Sequence, residues 1–298
     1  MVEHSNTPEP LLADAVTDFL ADLAHANRSV HTRRAYASDL KRFSTFYQGC
    51  VFGITADILR DFLDTCTHLS PASVARIQST LASFLTWAYR QELIRANPMS
   101  KIERVHVLAP KPCKFGREQV ERILAVIPKQ ASRDQLLFRL IFETGLRVSE
   151  ALAIYIEDLN LTTDDEHINV VGKGGKRRTV LLDDGRLVAM LRTYLKRTGY
   201  KYGLLFRAEK NGRGGLLRYQ SIQEKWAGYC AKAGITCTIH ELRHAHATEL
   251  VNDGVSLATI RKRLGHKNLQ TTLRYAEESD ATADAELRAW RRRRGQHR

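Results

Sequence analysis

Apolar residues recur at helical spacing through residues 11–107. Leu11, Leu12, Val16, Phe19, Leu20 and Leu23 form one stripe. A second predicted helix, Thr32 to Tyr47, carries Tyr36, Leu40, Phe43 and Phe46 on one face. Thr55 is placed to cap a third, with Ile58, Leu59, Phe62 and Leu63 inside. A fourth opens at Ser70-Pro71, where proline suits a first helical turn, and carries Val74, Ile77, Leu81, Phe84, Leu85 and Trp87. Four amphipathic helices predict a small helical bundle.

Ala109-Pro110-Lys111-Pro112-Cys113 interrupts this periodicity with two prolines. The expected organisation is a helical domain over 8–107, a linker at 108–112, a second domain over 113–285 and a basic tail over 286–298. The second domain opens with predicted helices Arg117–Val126, Asp134–Thr144 (stopped by Gly145) and Val148–Ile154. His167–Val171 and Arg178–Leu182 then read as a β-hairpin around a glycine-rich turn. Helical pattern returns over Arg186–Lys196 and dominates from Ser221. The fold class is mainly α: an N-terminal helical bundle plus a mixed α/β domain with a small antiparallel sheet.

The 298 residues can bury roughly 75% of the surface the unfolded chain exposes, enough for two cores. No apolar run approaches the ~18 residues a membrane span needs. The opening MVEHSNTPEP lacks the basic start and apolar centre of a secretory signal, so a cytoplasmic protein is expected. Cys50, Cys66, Cys113, Cys230 and Cys237 are odd in number and widely spaced, which argues for reduced thiols over a disulfide framework or a cysteine metal site. Residues 1–110 hold 11 Lys and Arg against 11 Asp and Glu, so the whole net charge of +13 falls in residues 111–298. Such an excess suits a polyanion, most commonly nucleic acid.

The motifs are individually weak. HELRH over 240–244 matches the zinc pattern His-Glu-x-x-His, with His240 and His244 as ligands and Glu241 as base. Its extended form wants Gly at 247 and His at 250, where Ala247 and Leu250 stand. The same stretch places His240 and Arg243 three apart, on one helix face. Gly172-Lys173-Gly174-Gly175-Lys176 fails the P-loop spacing and reads as a basic hairpin tip or a mobile lysine that reaches DNA. The segment from Gly254 to Gly265, followed by Asn268 to Tyr275, reads as two helices around a tight turn, as in a helix-turn-helix regulator.

Arg147 in TGLRVSE, Lys173 in GKGGK, His240 and Arg243 in HELRH, His266 in LGH and Tyr275 nine residues on occur in one order. That order resembles the tyrosine recombinase (phage integrase) family over roughly residues 10–280. The resemblance implies a SAM-like core-site-binding domain ahead of a catalytic domain. It implies a site-specific recombinase with no metal, ATP or other cofactor. Tyr275 would be the nucleophile, giving a 3′-phosphotyrosyl intermediate. Arg147 and Arg243 would hold the scissile phosphate, His240 would accept a proton, Lys173 would protonate the leaving 5′ oxygen and His266 would position Tyr275. Strand exchange through a Holliday junction implies a homotetramer on two double-stranded DNA sites with inverted-repeat core sequences, together with accessory DNA-binding proteins, in the cytoplasm and nucleoid-associated. A first helix near Leu11 is expected to leave no room for the arm-binding domain of lambda-type integrases, so the plan looks Xer-like or resolvase-like. Type IB topoisomerase, zinc metalloprotease and noncatalytic DNA-binding regulator are the competing readings.

Overall fold

The computed structural model describes residues 10–107, 115–172, 175–208, 215–265 and 288. The chain forms two compact units, Met1–Lys111 and Pro112–Arg298. No helix among the described residues is long and apolar enough to cross a membrane.

The first unit contains α1 (Leu12–His25), α2 (Val30–Phe46), α3 (Ala56–Asp64) and α4 (Pro71–Arg90). Their starts follow local chemistry. Ser29, Thr55 and Ser70 each accept a hydrogen bond from the backbone N–H three residues on, and Pro71 opens α4 without losing a needed donor. The apolar stripes meet in one core containing Phe19, Leu40, Phe43, Leu59, Phe62, Leu81 and Phe84. Each such fully buried side chain contributes about 1.5–3 kcal/mol. Buried Asp39 on α2 accepts from Arg76 and, at 2.9 Å, from Thr80 Oγ1, which fixes α2 against α4. The second helix begins two residues before the expected Thr32, because Ser29 is the residue that caps it.

The second unit opens with α5 (Arg117–Ala125), α6 (Ser132–Thr144) and the short α7 (Val148–Leu152). A three-stranded antiparallel sheet follows: β1 (Leu159–Asn160), β2 (His167–Val171) and β3 (Arg177–Leu181) in that order, with Ile168 opposite Val180 and Val170 opposite Arg178. Then come α8 (Gly185–Thr198), the two-stranded β4 (Arg207–Ala208) and β5 (Gly215–Leu216), α9 (Tyr219–Ala233), α10 (Ile239–Asn252) and α11 (Leu257–Leu264). The hairpin pairs as expected, while β1, β4 and β5 are two-residue strands beyond the reach of a period-two pattern.

Helix α6 is the centre of this unit. Leu136, Leu137, Phe138, Leu140, Ile141 and Phe142 are all buried, so apolar residues cover most of its circumference, as a helix enclosed by neighbours requires. Phe138 packs on Trp226 of α9 with ring centroids 4.8 Å apart. Because α6 is enclosed, its C-terminal end is a fixed reference for the segments that converge there.

Candidate active site

Helix α6 stops at Gly145, which adopts a left-handed conformation (φ +64°) and gives its N–H to Ile141 O at 3.0 Å. The chain then reverses and Arg147 stands at the N-cap of α7. Glu150, three residues on, accepts from Arg147 N and from Arg147 Nη1, both at 2.9 Å. A helix N-terminus favours an acidic residue here, so the same carboxylate caps α7 and orients the arginine.

Arg243 enters from α10. It is only 3% exposed; Nη1 donates to Gly145 O at 2.6 Å and Nη2 to Leu264 O at 2.8 Å. Both carbonyls lie at helix C-termini, where partial negative charge favours a cation. Arg243 Nη1 also lies 3.9 Å from Glu150 Oε2. On β3, Arg178 completes the group with two bonds to Glu150, Nη1 to Oε1 at 3.0 Å and Nη2 to Oε2 at 2.8 Å. Three guanidiniums thus surround one carboxylate. Burial opposes ionisation of Glu150, but bonds from Arg178 and Arg147 outweigh it and hold the carboxyl at about 2. The carboxylate therefore stays charged at neutral pH, and the cluster keeps a net positive charge suited to an anion.

His240 sits one turn before Arg243 on α10. Its protonated form is disfavoured first by desolvation, then by the charges of Arg243 and Arg147. The residue is exposed, which weakens the desolvation contribution and leaves more of the effect to the two guanidiniums. The outcome at neutral pH is a neutral imidazole beside two guanidiniums. Its ring meets that of His244 edge to face, with centroids 4.8 Å apart.

The middle of α10 and the end of α11 are locked from behind. His246 is buried; Arg263 Nε donates to its Nε2 at 3.1 Å, while Arg263 Nη2 donates to Glu143 O and to Asp183 Oδ1, both at 2.8 Å. Burial and Arg263 push His246 down to about 3, so it remains neutral as an acceptor. A Cβ on Gly145 would lie 2.5 Å from Leu264 Cδ2 and 2.6 Å from His246 Cδ2. Only glycine lets α6 end this close to α10 and α11.

Of the six residues singled out from the sequence, Arg147, His240 and Arg243 meet in this cluster. Lys173, His266 and Tyr275 lie outside the described residues, as does most of the tail. Glu150 and Arg178 were not singled out. Glu150 had a local signal in its three-residue spacing from Arg147, and Arg178 shares the inward face of β3 with buried Val180. Glu241, the base in a zinc reading, instead turns back to accept from Thr238 N as a helix cap. Among the described residues, no group of three or more His, Cys, Asp or Glu is placed to hold a metal ion.

Residues 115–282 match the model of the phage integrase family, and residues 16–92 match its N-terminal SAM-like domain. The chain belongs to the phage integrase family. Tyrosine recombinase XerD of Shewanella oneidensis is 30% identical over 280 residues, covering 88% of this chain and 91% of that protein. Tyrosine recombinase XerC of Oceanobacillus iheyensis is 30% identical over 267 residues, covering 84% and 86%. This phage integrase family member is thus a tyrosine recombinase, an enzyme of site-specific DNA strand exchange. Among solved structures, XerH bound to palindromic difH in a post-cleavage complex aligns at TM-score 0.70 with 23% identity, covering 89% of this chain and 81% of that one. A lambda integrase tetramer bound to a Holliday junction aligns at TM-score 0.77 with 17% identity, covering 92% and 82%. At these identities the structural likeness speaks for the mainly helical, two-part fold.

Proposed function

We propose that the cluster around Glu150 is the phosphate site of a strand-cleavage centre in which Tyr275 is the nucleophile. The observation that carries this reading is the meeting of Arg147 and Arg243 on one carboxylate, with neutral His240 beside them. Their guanidiniums match the nonbridging oxygens of a phosphodiester and stabilise charge growing in the transition state. A phenol with an ordinary value near 10 is only about one part in a thousand ionised at pH 7. His240 accepts its proton as Tyr275 Oη attacks phosphorus. Lys173 gives a proton to the departing 5′ oxygen, and His266 holds Tyr275 in place. The product is a 3′-phosphotyrosyl bond with a free 5′ hydroxyl, and a partner strand's 5′ hydroxyl reverses the step.

The N-terminal unit is proposed to grip the core DNA site. A recess of about 950 Å³ lined by Arg28, Thr32, Tyr36, Arg90 and Arg104 among others supports that role, because cations and hydroxyls position a duplex through its phosphates. The partners are then double-stranded DNA with inverted-repeat core sites, copies of this chain forming a tetramer on two such sites, and accessory DNA-binding proteins. The setting is the cytoplasm, at the nucleoid.

The test is a covalent trap with nicked duplexes made from genomic fragments, followed by sequencing of the attached DNA. The wild-type protein is expected to form an adduct that survives denaturation, and Tyr275→Phe to bind the same duplex without one. An adduct from Tyr275→Phe refutes the assignment of the nucleophile. Bound duplex with no adduct from the wild-type protein refutes strand cleavage.

A further inference from the structure

Arg178 stands outside the six-residue set yet touches three parts of the centre. Its fork gives Glu150 two bonds at 3.0 and 2.8 Å, and Nε donates to Arg263 O at 3.2 Å in the last turn of α11. Two glycines flank it. A Cβ on Gly172 would come within 3.3 Å of Arg178 Nη1, and a Cβ on Gly265 would come within 3.1 Å of Cζ, Nε and Nη1. Gly172 immediately precedes Lys173, and Gly265 immediately precedes His266. Gly172 N also donates to Lys176 O at 2.8 Å, so the neck of the Lys173 hairpin is closed right beside the guanidinium.

We propose that Arg178 is a positioning residue for strand cleavage. It holds the strand that leads to Lys173 and the helix end that leads to His266 against the carboxylate that orients Arg147. The proposal rests on the roles given above to Lys173, His266 and Tyr275. The chemistry favours arginine over any other residue. One planar fork satisfies both oxygens of Glu150 and still reaches a carbonyl through Nε, whereas a lysine ammonium is a point donor on a flexible stem. The charge also matters. With Arg178 gone, both Glu150 oxygens turn to Arg147 and draw its guanidinium off the phosphate. The hairpin neck and the α11 end lose their common anchor at the same time.

The step affected can be separated chemically. During cleavage the Tyr275 Oη–phosphorus bond forms as the phosphorus–O5′ bond breaks. The phenol proton goes to His240, and a proton from Lys173 goes to the 5′ oxygen. If sulfur replaces that 5′ oxygen, a thiolate leaves without being protonated, so correct placement of Lys173 no longer limits the rate.

The experiment uses the full-length protein and a nicked duplex of the sequence recovered by the covalent trap, made with either oxygen or sulfur at the scissile 5′ position. DNA affinity, thermal midpoint and single-turnover adduct formation are measured for wild type, Arg178→Gln and Gly172→Ala. Gly172→Ala crowds the guanidinium but keeps every charge. Arg178→Gln is expected to lose about 10²-fold in rate on the oxygen duplex, the scale of a displacement near 1 Å. Its affinity should stay within about threefold, and the sulfur duplex should return at least tenfold of the lost rate, using the scale of general-acid catalysis. Gly172→Ala should show a smaller loss with the same sulfur recovery. Wild-type speed in both variants overturns the proposal, as does the absence of sulfur recovery. A rate loss that merely follows loss of folding or DNA binding in both variants overturns it too. No adduct from wild type on either duplex overturns the strand-cleavage reading and the proposal together; a wild-type adduct with full-rate variants overturns the proposal alone.

Discussion

Gly145→Ala tests whether the convergence of three helix ends builds the site. Two costs apply. The left-handed backbone at φ +64° penalises any Cβ by about 1 kcal/mol. The new methyl would also stand 2.5 Å from Leu264 Cδ2 and 2.6 Å from His246 Cδ2, about 1 Å inside ordinary carbon contact. Overpacking of this kind costs about 1–3 kcal/mol, so the total is about 2–4 kcal/mol. For a unit of this size that lowers the thermal midpoint by about 4–16 °C. Gly234 provides the control. It ends α9 with nearly the same φ of +67°, but a Cβ there meets nothing within 4 Å. Gly234→Ala should therefore cost only the backbone penalty of about 1 kcal/mol. The two variants are compared by thermal denaturation followed by circular dichroism. Adduct formation below both midpoints adds a second readout. Gly145 O accepts from Arg243, so Gly145→Ala should slow cleavage beyond its effect on the folded fraction, while Gly234→Ala should not. Equal midpoints and equal rates for the two variants would refute the reasoning.

Glu150→Gln should flatten the acid side of the stability curve. The carboxyl lies at about 2 in the folded protein against an ordinary 4.5, so its stabilising effect is fully present above about 4.5 and is lost as pH falls towards 2. The difference corresponds to about 3 kcal/mol, read by denaturant unfolding at several pH values; identical wild-type and variant curves across that window would contradict it. Cleavage should lose activity on the acid side with a midpoint below 6.5, since His240 must be neutral and its protonation is disfavoured. A midpoint above 6.5, or an unchanged acid limb in His240→Gln, would remove His240 from proton transfer. Arg147→Ala should cut cleavage by about 10²–10³ with DNA affinity little changed, the scale of one lost oxyanion donor. Arg243→Ala should add a loss of stability to a similar rate effect, because it leaves two buried helix-end carbonyls unpaired. Full activity in either variant would exclude that arginine from the phosphate site.

The helices were legible because their ends are written in local chemistry. Ser70-Pro71 opens α4, Thr55 opens α3 and Gly145 closes α6, each where the sequence places it. The errors have the same origin. The apolar stripe marks α2 only from Thr32, whereas Ser29 caps it: Val30 is apolar but exposed, and His31 and Thr32 are polar, so the first turn carries no buried stripe. The two-residue strands are too short to impose a period, and they form only because the neighbouring chain offers a ladder. Within the site, the ordered motif flagged the arginines and His240 because each sits in a distinctive local string. Glu150 and Arg178 escaped notice because a glutamate beside an arginine and an arginine in GKGGKRR both read as solvated surface charge. Their importance arises from a contact between α7 and β3, and no local window contains both.

That contact explains why so basic a centre carries an acid at its heart. Three guanidiniums crowded together without Glu150 would repel one another and spread apart, because they cannot discharge by losing protons. A carboxylate with both oxygens occupied holds them at fixed spacing without cancelling their sum. The helix C-termini beneath Arg243 do the same from the other side, offering partial rather than full negative charge. Desolvation and then the positive charges of Arg243 and Arg147 disfavour protonation of His240. One arrangement of charges therefore holds three guanidiniums at fixed spacing and disfavours protonation of the neighbouring imidazole. Removing the acid should let the guanidiniums spread and so slow cleavage while leaving His240 neutral, even though an acid is the last group expected to help a protein hold a phosphate.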